Sequence, residues 1–273
     1  MKVASLSVFI GQMCGKIKMY CTSAASFEKV TKMKLRKFLN SLLEILFPRK
    51  CPVCDRIIMP KGAVICPACR QRVSLVKEPR CLKCGKQLFS EEAEYCDGCE
   101  KKTFHYTRGL VLMNYDGVAR KILTALKYHG KCDNADYLAA ETVVQLREEI
   151  LRMQADFFVP VPVHARRKRV RGFNQAELIA KRLGGRLEIP VRTDVLKRIK
   201  NTMPQKELGS AARLNNLLKA FAVKNTDKLA GKTVILVDDI YTTGSTAEAC
   251  TRVLLSGGAK KVYLLNMAAG RAR

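Results

Sequence analysis

The chain has 273 residues and 48% of them are apolar, so it is long enough to bury a substantial core and to form about two domains. Its formal net charge of +26 excludes an acidic surface and predicts a polyanionic partner, with nucleic acid as the main candidate, although basic composition also occurs without that role. No apolar run reaches the ~18 residues of a membrane span, so we expect no transmembrane segment.

The N-terminal part contains two different segments. Residues 1–32 loosely imitate a signal peptide, but Gly11, Gln12 and nearby lysines interrupt the apolar run. We therefore expect an unstructured or misassigned extension on a cytoplasmic protein. Residues 33–48 carry apolar side chains at helical spacing up to Pro48, which predicts an amphipathic docking helix, with membrane-surface binding as the alternative.

Residues 49–104 contain an internal cysteine repeat. Each half has the pattern C-x2-C-x11-C-x2-C, and the second half follows the first by 30 residues. Four thiolates at this spacing suit a tetrahedral Zn²⁺ ion, and metal rather than disulfide bonds indicates a reducing compartment. We predict a double zinc ribbon with two structural zinc sites, and the pairing of ligands between the halves stays open. The predicted ligands are Cys51, Cys54, Cys66, Cys69, Cys81, Cys84, Cys96 and Cys99.

From residue 105 onward, the pattern alternates between strands and helices. The predicted elements are a strand over 109–115, helices over 118–127 and 135–153, a strand over 157–163 that ends at its prolines, and a last strand over 261–267. Strands that alternate with helices predict a parallel α/β sheet with right-handed crossovers.

A basic segment follows the second predicted strand. His164-Ala-Arg-Arg-Lys-Arg-Val-Arg171 reads as a loop at the carboxyl end of that strand, before a helix that begins near Ala176. Such a loop is well placed to neutralise a pyrophosphate group. The alternative is a solvated run of charges with no ligand.

Residues 234–246 carry the strongest chemical signal. Val234-Ile-Leu-Val237 is typical of a strand buried on both faces, and we expect Asp238 and Asp239 at the point where this strand ends. Thr242-Thr-Gly-Ser-Thr246 then leads into a helix, whose free N–H groups, hydroxyls and dipole favour a phosphate. A capped helix after a core strand, with no ligand, is the alternative.

Several motifs together resemble the ComF family of competence-associated phosphoribosyltransferase-like proteins, and the likeness covers about residues 40–269. They are Leu126-Lys-Tyr-His-Gly130, Val159-Pro-Val-Pro-Val163, Arg171-Gly-Phe-Asn-Gln-Ala-Glu177, Thr202-Met-Pro-Gln-Lys206 and the 234–246 motif, preceded by the cysteine pairs. The resemblance implies a type I phosphoribosyltransferase fold over residues 105–273, a parallel sheet flanked by helices with a hood, preceded by the tandem zinc ribbon.

The resemblance also implies a site for phosphoribosyl pyrophosphate (PRPP) with Mg²⁺. By that likeness Asp238 and Asp239 bind the ribose hydroxyls, and residues 202–213 form a mobile hood over the site. The 5′-phosphate would be held by Thr242, Thr243, Gly244, Ser245 and Thr246, and the pyrophosphate loop would include Val163, His164, Arg166 and Arg167. His164 departs from the family pattern, in which proline is commoner at this position.

Two classes of function are compatible with these features. An enzyme would transfer ribose 5-phosphate from PRPP to an acceptor and release pyrophosphate. A binding module would instead keep the PRPP pocket and bind single-stranded DNA in the cytoplasm during DNA uptake, either silently or as a PRPP sensor, with competence or helicase-type protein partners. The sequence contains no unambiguous general base and does not identify the acceptor.

Overall fold

A computed structural model describes residues 48–60, 62–200 and 216–272 of the chain. Residues Lys50–Arg273 form one compact unit. The extension predicted over 1–32 and the hood predicted over 202–213 lie outside the described residues, as does the predicted docking helix apart from its last residue, Pro48.

The described part of the chain contains the following strands and longer helical elements. The strands are β1 (Gly109–Asn114), β2 (Phe157–Pro160), β3 (Leu196–Arg198), β4 (Phe221–Val223), β5 (Thr233–Tyr241) and β6 (Lys261–Ala269). The helices are α1 (Pro67–Arg70), α2 (Asp97–Glu100), α3 (Gly117–Tyr128), α4 (Asp133–Arg152), α5 (Ala165–Arg171), α6 (Gln175–Leu187) and α7 (Ser245–Ser256). The predicted strands and helices of residues 109–160 are confirmed within a few residues.

The centre of the fold is a parallel sheet with the strand order β1-β6-β5-β2. Successive side chains of a strand point to opposite faces, so each strand supplies both apolar layers. In β5, Ile235 and Val237 belong to the layer that contains α3, α4 and α6, which we call the first layer. Val234 and Leu236 belong to the opposite layer with α7, which we call the second layer. Both faces are covered, as the continuous apolar run predicted.

The cysteine repeat lies across the free edge of this sheet. The first zinc ribbon (residues 50–73) contributes Val53 and Ile58 to the first layer, whereas the second zinc ribbon (residues 80–100) contributes Leu88 to the second layer. Between them, the connector 74–76 pairs with β1, and Asn114 N donates to the Ser74 carbonyl oxygen at 2.7 Å. The repeat therefore covers the edge strand and shares the core of the sheet.

Candidate functional site

The candidate site lies where β2 and β5 run side by side. α6, the longer of the two helices between β2 and β3, belongs to the first layer, and α7, which follows β5, belongs to the second layer. Such divergence of two helices opens a crevice outside the carboxyl ends of the strands, which is where parallel α/β sheets bind ligands. Val161 N donates to the Val237 carbonyl oxygen at 2.9 Å, so the segments 163–167 and 242–246 both follow strand ends that lie at this crevice.

The two aspartates lie inside β5 rather than after it. The strand continues to Tyr241, because its pairing with β6 extends past Asp238 to the last strand residue. The prediction that the strand ends before the acids was therefore wrong by four residues. Successive strand residues face opposite ways, so Asp238 points to the second layer and Asp239 to the first.

Asp239 is held by two side chains from the first layer. It is 6% exposed, and its Oδ2 accepts a hydrogen bond from Gln175 Nε2 at 2.9 Å. Lys127 Nζ lies 2.8 Å from the same oxygen. A buried carboxylate requires such pairing, because an unpaired charge in the interior is costly. The geometry fixes Asp239 at the floor of the crevice.

Asp238 has a raised pKa. Burial, together with the negative charge of Asp239, raises the pKa of Asp238 from 3.8 to about 7. The Asp239 backbone N–H, which donates to Asp238 Oδ1 at 2.9 Å, and the charges of Lys127 and Arg198 act against this rise without cancelling it. Asp238 is therefore poised between its neutral and ionised forms at neutral pH, which is a typical property of functional carboxylates.

Beside Asp238 lies the buried side-chain amide of Asn266. Asn266 of β6 is in register with Asp238, so both side chains lie on the same face of the sheet. Asn266 is 3% exposed, and its Nδ2 has no hydrogen-bond partner among the residues that the structure describes. A buried donor without a partner is costly, so this amide next to the aspartate fits a site that an oxygen-rich ligand completes.

The hydroxyl-rich segment 242–246 forms the turn from β5 into α7. Gly244 is the N-cap residue of α7 and has a φ of +79°, a conformation that favours glycine. The side chains of Asp116, His164 and Asn174 cap α3, α5 and α6, but Gly244 offers no such acceptor to the first turn of α7. The N–H groups of that turn remain available to an external anion, close to Thr243 and Ser245, whose hydroxyls are 3.0 Å apart.

The basic segment 164–171 is a helix and not the loop that the sequence predicted. His164 starts α5 by accepting a hydrogen bond from Arg166 N at 3.3 Å, and Gly172, with a φ of +83°, ends it. Arginine and lysine are good helix formers, so two capping residues are enough to order this short helix. Among the residues that the structure describes, neither Arg166 nor Arg167 pairs with an acid, and both are exposed. Their charges face solvent at the mouth of the crevice.

The structure adds residues that our sequence reasoning did not assign to the site. Lys127 and Gln175 hold Asp239, and Arg171 Nη1 donates to Gln175 Oε1 at 2.6 Å. The Arg171 guanidinium also lies 5.1 Å from the centre of the Tyr128 ring. Lys127, Tyr128, Arg171 and Gln175 all belong to motifs that carry the family resemblance. These motifs were the signal that could have assigned the four residues to the site, because their spacing alone indicates no role.

Arg198 of β3 also lies at the site. Burial lowers the pKa of Arg198, and the charge of Arg167 adds to this effect, whereas Cys250 and Asp238 act against it. Arg198 therefore lies within electrostatic range of Arg167 in the basic helix and of Asp238. No sequence motif pointed to this residue, because β3 has only three residues and too short a pattern to be recognised.

The eight repeat cysteines form two groups of four, one in each half. Within each group the sulfur atoms all lie within 4.8 Å of one another. Zn–S bonds of ~2.3 Å in a tetrahedron place sulfur atoms ~3.8 Å apart. The Sγ atoms of Cys54 and Cys66 are 3.8 Å apart, and those of Cys84 and Cys96 are 3.7 Å apart. Both groups thus fit a zinc ion, and the ligands come together within each half and not across the halves.

Comparisons with known proteins agree with this architecture. Residues 42–100 match the double zinc ribbon domain family, and residues 169–273 match the phosphoribosyl transferase domain family. Together with the parallel sheet, these matches confirm the predicted zinc ribbon and the predicted phosphoribosyltransferase fold. Within residues 48–60, 62–200 and 216–272, no helix has both the length and the apolar character that crossing a membrane requires.

Relatives match most of the chain. Competence protein F of Haemophilus influenzae is 26% identical over 208 residues, which are 75% of this chain and 90% of that protein. DNA utilization protein YhgH of Salmonella typhimurium is 29% identical over 224 residues, which are 80% of this chain and 95% of that protein. Among solved structures, a purine phosphoribosyltransferase from Pyrococcus horikoshii aligns with 49% of this chain and 73% of its own at 19% identity, with a TM-score of 0.33.

Proposed function

The chain is a ComF-like protein, a double zinc ribbon followed by a phosphoribosyltransferase domain, and we propose on that premise that it binds PRPP with Mg²⁺ in the crevice between β2 and β5. We further propose that it does so in the cytoplasm, as part of the handling of incoming DNA, as the names of its relatives suggest. In this proposal, residues 49–104 are the ribbon domain and residues 105–273 the phosphoribosyltransferase domain, with zinc in both cysteine groups.

The single observation that carries the proposal is the arrangement at the end of β5. Two adjacent aspartates of opposite orientation are followed at once by a hydroxyl-rich turn and by a helix whose N-cap residue has no side chain. Carboxylates suit the hydroxyls of a ribose, and the open helix start suits its 5′-phosphate. The unpartnered amide of Asn266 supports the same assignment, because a sugar or phosphate oxygen would satisfy it.

Each part of the site has a defined task in this proposal. Asp238 and Asp239 accept hydrogen bonds from the 2′ and 3′ hydroxyls, and residues 242–246 donate to the 5′-phosphate. Val163, His164, Arg166 and Arg167 border the pyrophosphate, where the two arginines supply positive charge. Asp238 and Asp239 offer the carboxylate oxygens that Mg²⁺ prefers as ligands, and the ion would offset the negative charge of the diphosphate.

Transfer of the ribose 5-phosphate group remains part of the proposal as the enzymatic alternative. Positive charge develops at the anomeric carbon as the diphosphate leaves, and the aspartate pair and the two arginines would stabilise the two ends of that charge separation. If the protein instead only senses PRPP, the same residues bind the ligand without an acceptor.

Calorimetric titration with PRPP and Mg²⁺ tests the binding proposal. We expect binding by the wild type, a loss of at least about tenfold in affinity for Asp239→Asn, and no loss for Asp227→Asn, which removes an exposed charge of the same domain far from the crevice. An assay for pyrophosphate release with candidate bases separates transfer from binding. If the wild type gives no heat at millimolar PRPP, the proposal is wrong.

A second function, binding of single-stranded DNA, is favoured by the surface beside the crevice. In α5, Arg166, Arg167, Lys168 and Arg169 are all exposed, and the Tyr128 ring, 69% exposed, carries the Arg171 guanidinium beside it. Proteins that bind single strands combine such positive charge with aromatic rings on which bases stack. We propose that α5 and Tyr128 contact DNA, with competence or helicase-type proteins as partners.

The salt dependence of DNA binding tests this second function. Each phosphate contact on a single strand contributes ~0.7 to the slope of log affinity against log salt concentration. The double substitution Arg166→Gln and Arg169→Gln should therefore reduce the slope by up to ~1.4, whereas Arg252→Gln, an exposed arginine of α7, should leave it unchanged. Equal effects of both variants, or binding that ignores salt, would contradict the proposal. Repeating the titration with PRPP shows whether the two ligands are coupled.

A further inference from the structure

The second zinc ribbon reaches the proposed phosphate loop through one lysine. Lys86 Nζ donates to the carbonyl oxygen of Thr242, the first residue of the loop, at 3.1 Å. The same ammonium group lies 5.2 Å from the centre of the Tyr241 ring, directly before the loop. We infer that Lys86 is a positioning residue for the phosphate loop, so that the second ribbon contributes a residue to the PRPP site. This inference rests on the proposed PRPP binding.

The segment that leaves the ribbon holds both ends of the same loop. Tyr106 and Tyr241 share a hydrogen bond between their hydroxyls at 2.8 Å, so the start of the loop is tied down. His105 N donates to Glu248 Oε2 at 2.9 Å, and the His105 ring also contacts that buried carboxylate in the first turn of α7. The loop is thus fixed before and after by Tyr106 and His105.

The ribbon itself is a rigid support for Lys86. Gly109 N, at the start of β1, donates to the Lys83 carbonyl oxygen at 2.7 Å. A Cβ atom on Gly109 would lie 2.8 Å from the Cys84 carbonyl oxygen, so the two backbones touch without room for a side chain. Because the ribbon backbone rests on the central sheet, Lys86 cannot move far without moving β1.

The orientation of one peptide explains what Lys86 contributes. A trans peptide is planar, so the carbonyl of one residue and the N–H of the next point in opposite directions. When Lys86 holds the Thr242 carbonyl toward the ribbon, the Thr243 N–H points away from the ribbon. The lysine therefore fixes the direction of the first amide of the loop and adds a positive charge beside it.

The first ribbon provides an internal comparison, because the two halves of the repeat have the same local geometry. Cys51 N donates to the Arg56 carbonyl oxygen at 2.8 Å, and Cys81 N donates to the Lys86 carbonyl oxygen at 2.8 Å. Arg56 is therefore the counterpart of Lys86. Its side chain is exposed and forms no hydrogen bond or ion pair within the part of the chain that the structure describes. The contact to the loop belongs to the second half alone.

Four zinc-loaded proteins test the inference: the wild type, Lys86→Met, Lys86→Arg and the control Arg56→Met. Amide hydrogen exchange of residues 242–248 and the dissociation constant for PRPP are measured for each, after zinc content and melting temperature have been compared. We expect Lys86→Met to accelerate exchange in this segment and to weaken PRPP binding about tenfold, the effect of losing one charged hydrogen bond. Lys86→Arg keeps a donor and should stay within about threefold of the wild type.

Arg56→Met should match the wild type in both measurements. The inference is overturned if Lys86→Met exchanges and binds like the wild type, or if Arg56→Met shows the same losses, since a general weakening of the ribbons would then explain them. If the wild type itself does not bind PRPP, the proposed function fails, and the exchange comparison still decides whether Lys86 holds the loop.

Discussion

The raised pKa of Asp238 makes a prediction about stability that runs against the usual effect of mutating a site residue. Its carboxyl group lies beside Asp239 in a crevice that disfavours the ionised form. Asp238→Asn removes the charge and keeps an oxygen that accepts from the Asp239 N–H. We therefore expect the variant to be more stable than the wild type at pH 8, while it loses affinity for PRPP. Functional sites often carry such strain at the expense of stability.

The magnitude follows from the shift of the pKa. A rise from 3.8 to about 7 is about 3 units, and each unit corresponds to about 1.4 kcal/mol, so ionised Asp238 costs the folded state at most about 4 kcal/mol at pH 8. Asp238 keeps partial exposure to solvent, so we expect about 2 kcal/mol. At ~2–4 °C per kcal/mol for a chain of this size, the melting temperature should rise by ~4–8 °C.

The pH dependence has a definite sign. An acid with a raised pKa in the folded state binds its proton more tightly there, so the contribution of Asp238 to stability is fully present below pH 3.8 and is lost as the pH rises to 7. The advantage of Asp238→Asn should thus be largest at pH 8 and about half as large at pH 5.5. Thermal melts of ligand-free, zinc-loaded proteins at the two pH values measure it. A variant no more stable than the wild type at pH 8, or an advantage that grows as the pH falls, would refute the reasoning.

Three further predictions concern the surroundings of the aspartates and the metal sites. Lys127 pairs with Asp239, and its positive charge lowers the pKa of Asp238. Lys127→Met should therefore raise the pKa of Asp238 and move the pH midpoint for PRPP binding upward in a calorimetric pH series. An unchanged midpoint would contradict this. Gly244→Ala forces a residue with a side chain to a φ of +79° and places its Cβ atom 2.9 Å from Phe104 Cε1. Denaturant titration should therefore show that the free energy of unfolding falls by ~1–3 kcal/mol. An unchanged free energy of unfolding would argue against the turn as described. Each zinc ribbon packs into one layer of the core. Removal of zinc by a chelator should therefore unfold both layers in one transition, which circular dichroism detects. A sheet that survives intact would show that it folds independently of the ribbons.

Local patterns predicted the main strands and helices, but they failed at the end of β5 and over the whole of α5. The apolar run 234–237 indicated a buried strand correctly, but the ladder with β6 carries that strand on through Asp238 and Asp239 to Tyr241. Pairing with a neighbouring strand outweighs the low strand propensity of aspartate. In the same way, the charges of 164–171 suggested a loop, whereas capping by His164 and Gly172 orders a helix.

The amino-acid sequence by itself determined the parts that depend on spacing along the chain: the two cysteine repeats, the alternation of strands and helices, and the adjacency of two acids with a hydroxyl-rich turn. These signals are local, because a cysteine pair, a buried strand and a helix start each form from residues that are neighbours in the chain. Tertiary structure alone decided which distant residues meet. Lys127 and Gln175 reach Asp239 from two different helices, and Lys86 reaches Thr242 across 156 positions. Such contacts depend on strand order and on which face of the sheet each helix covers, and these are settled only when the whole core packs.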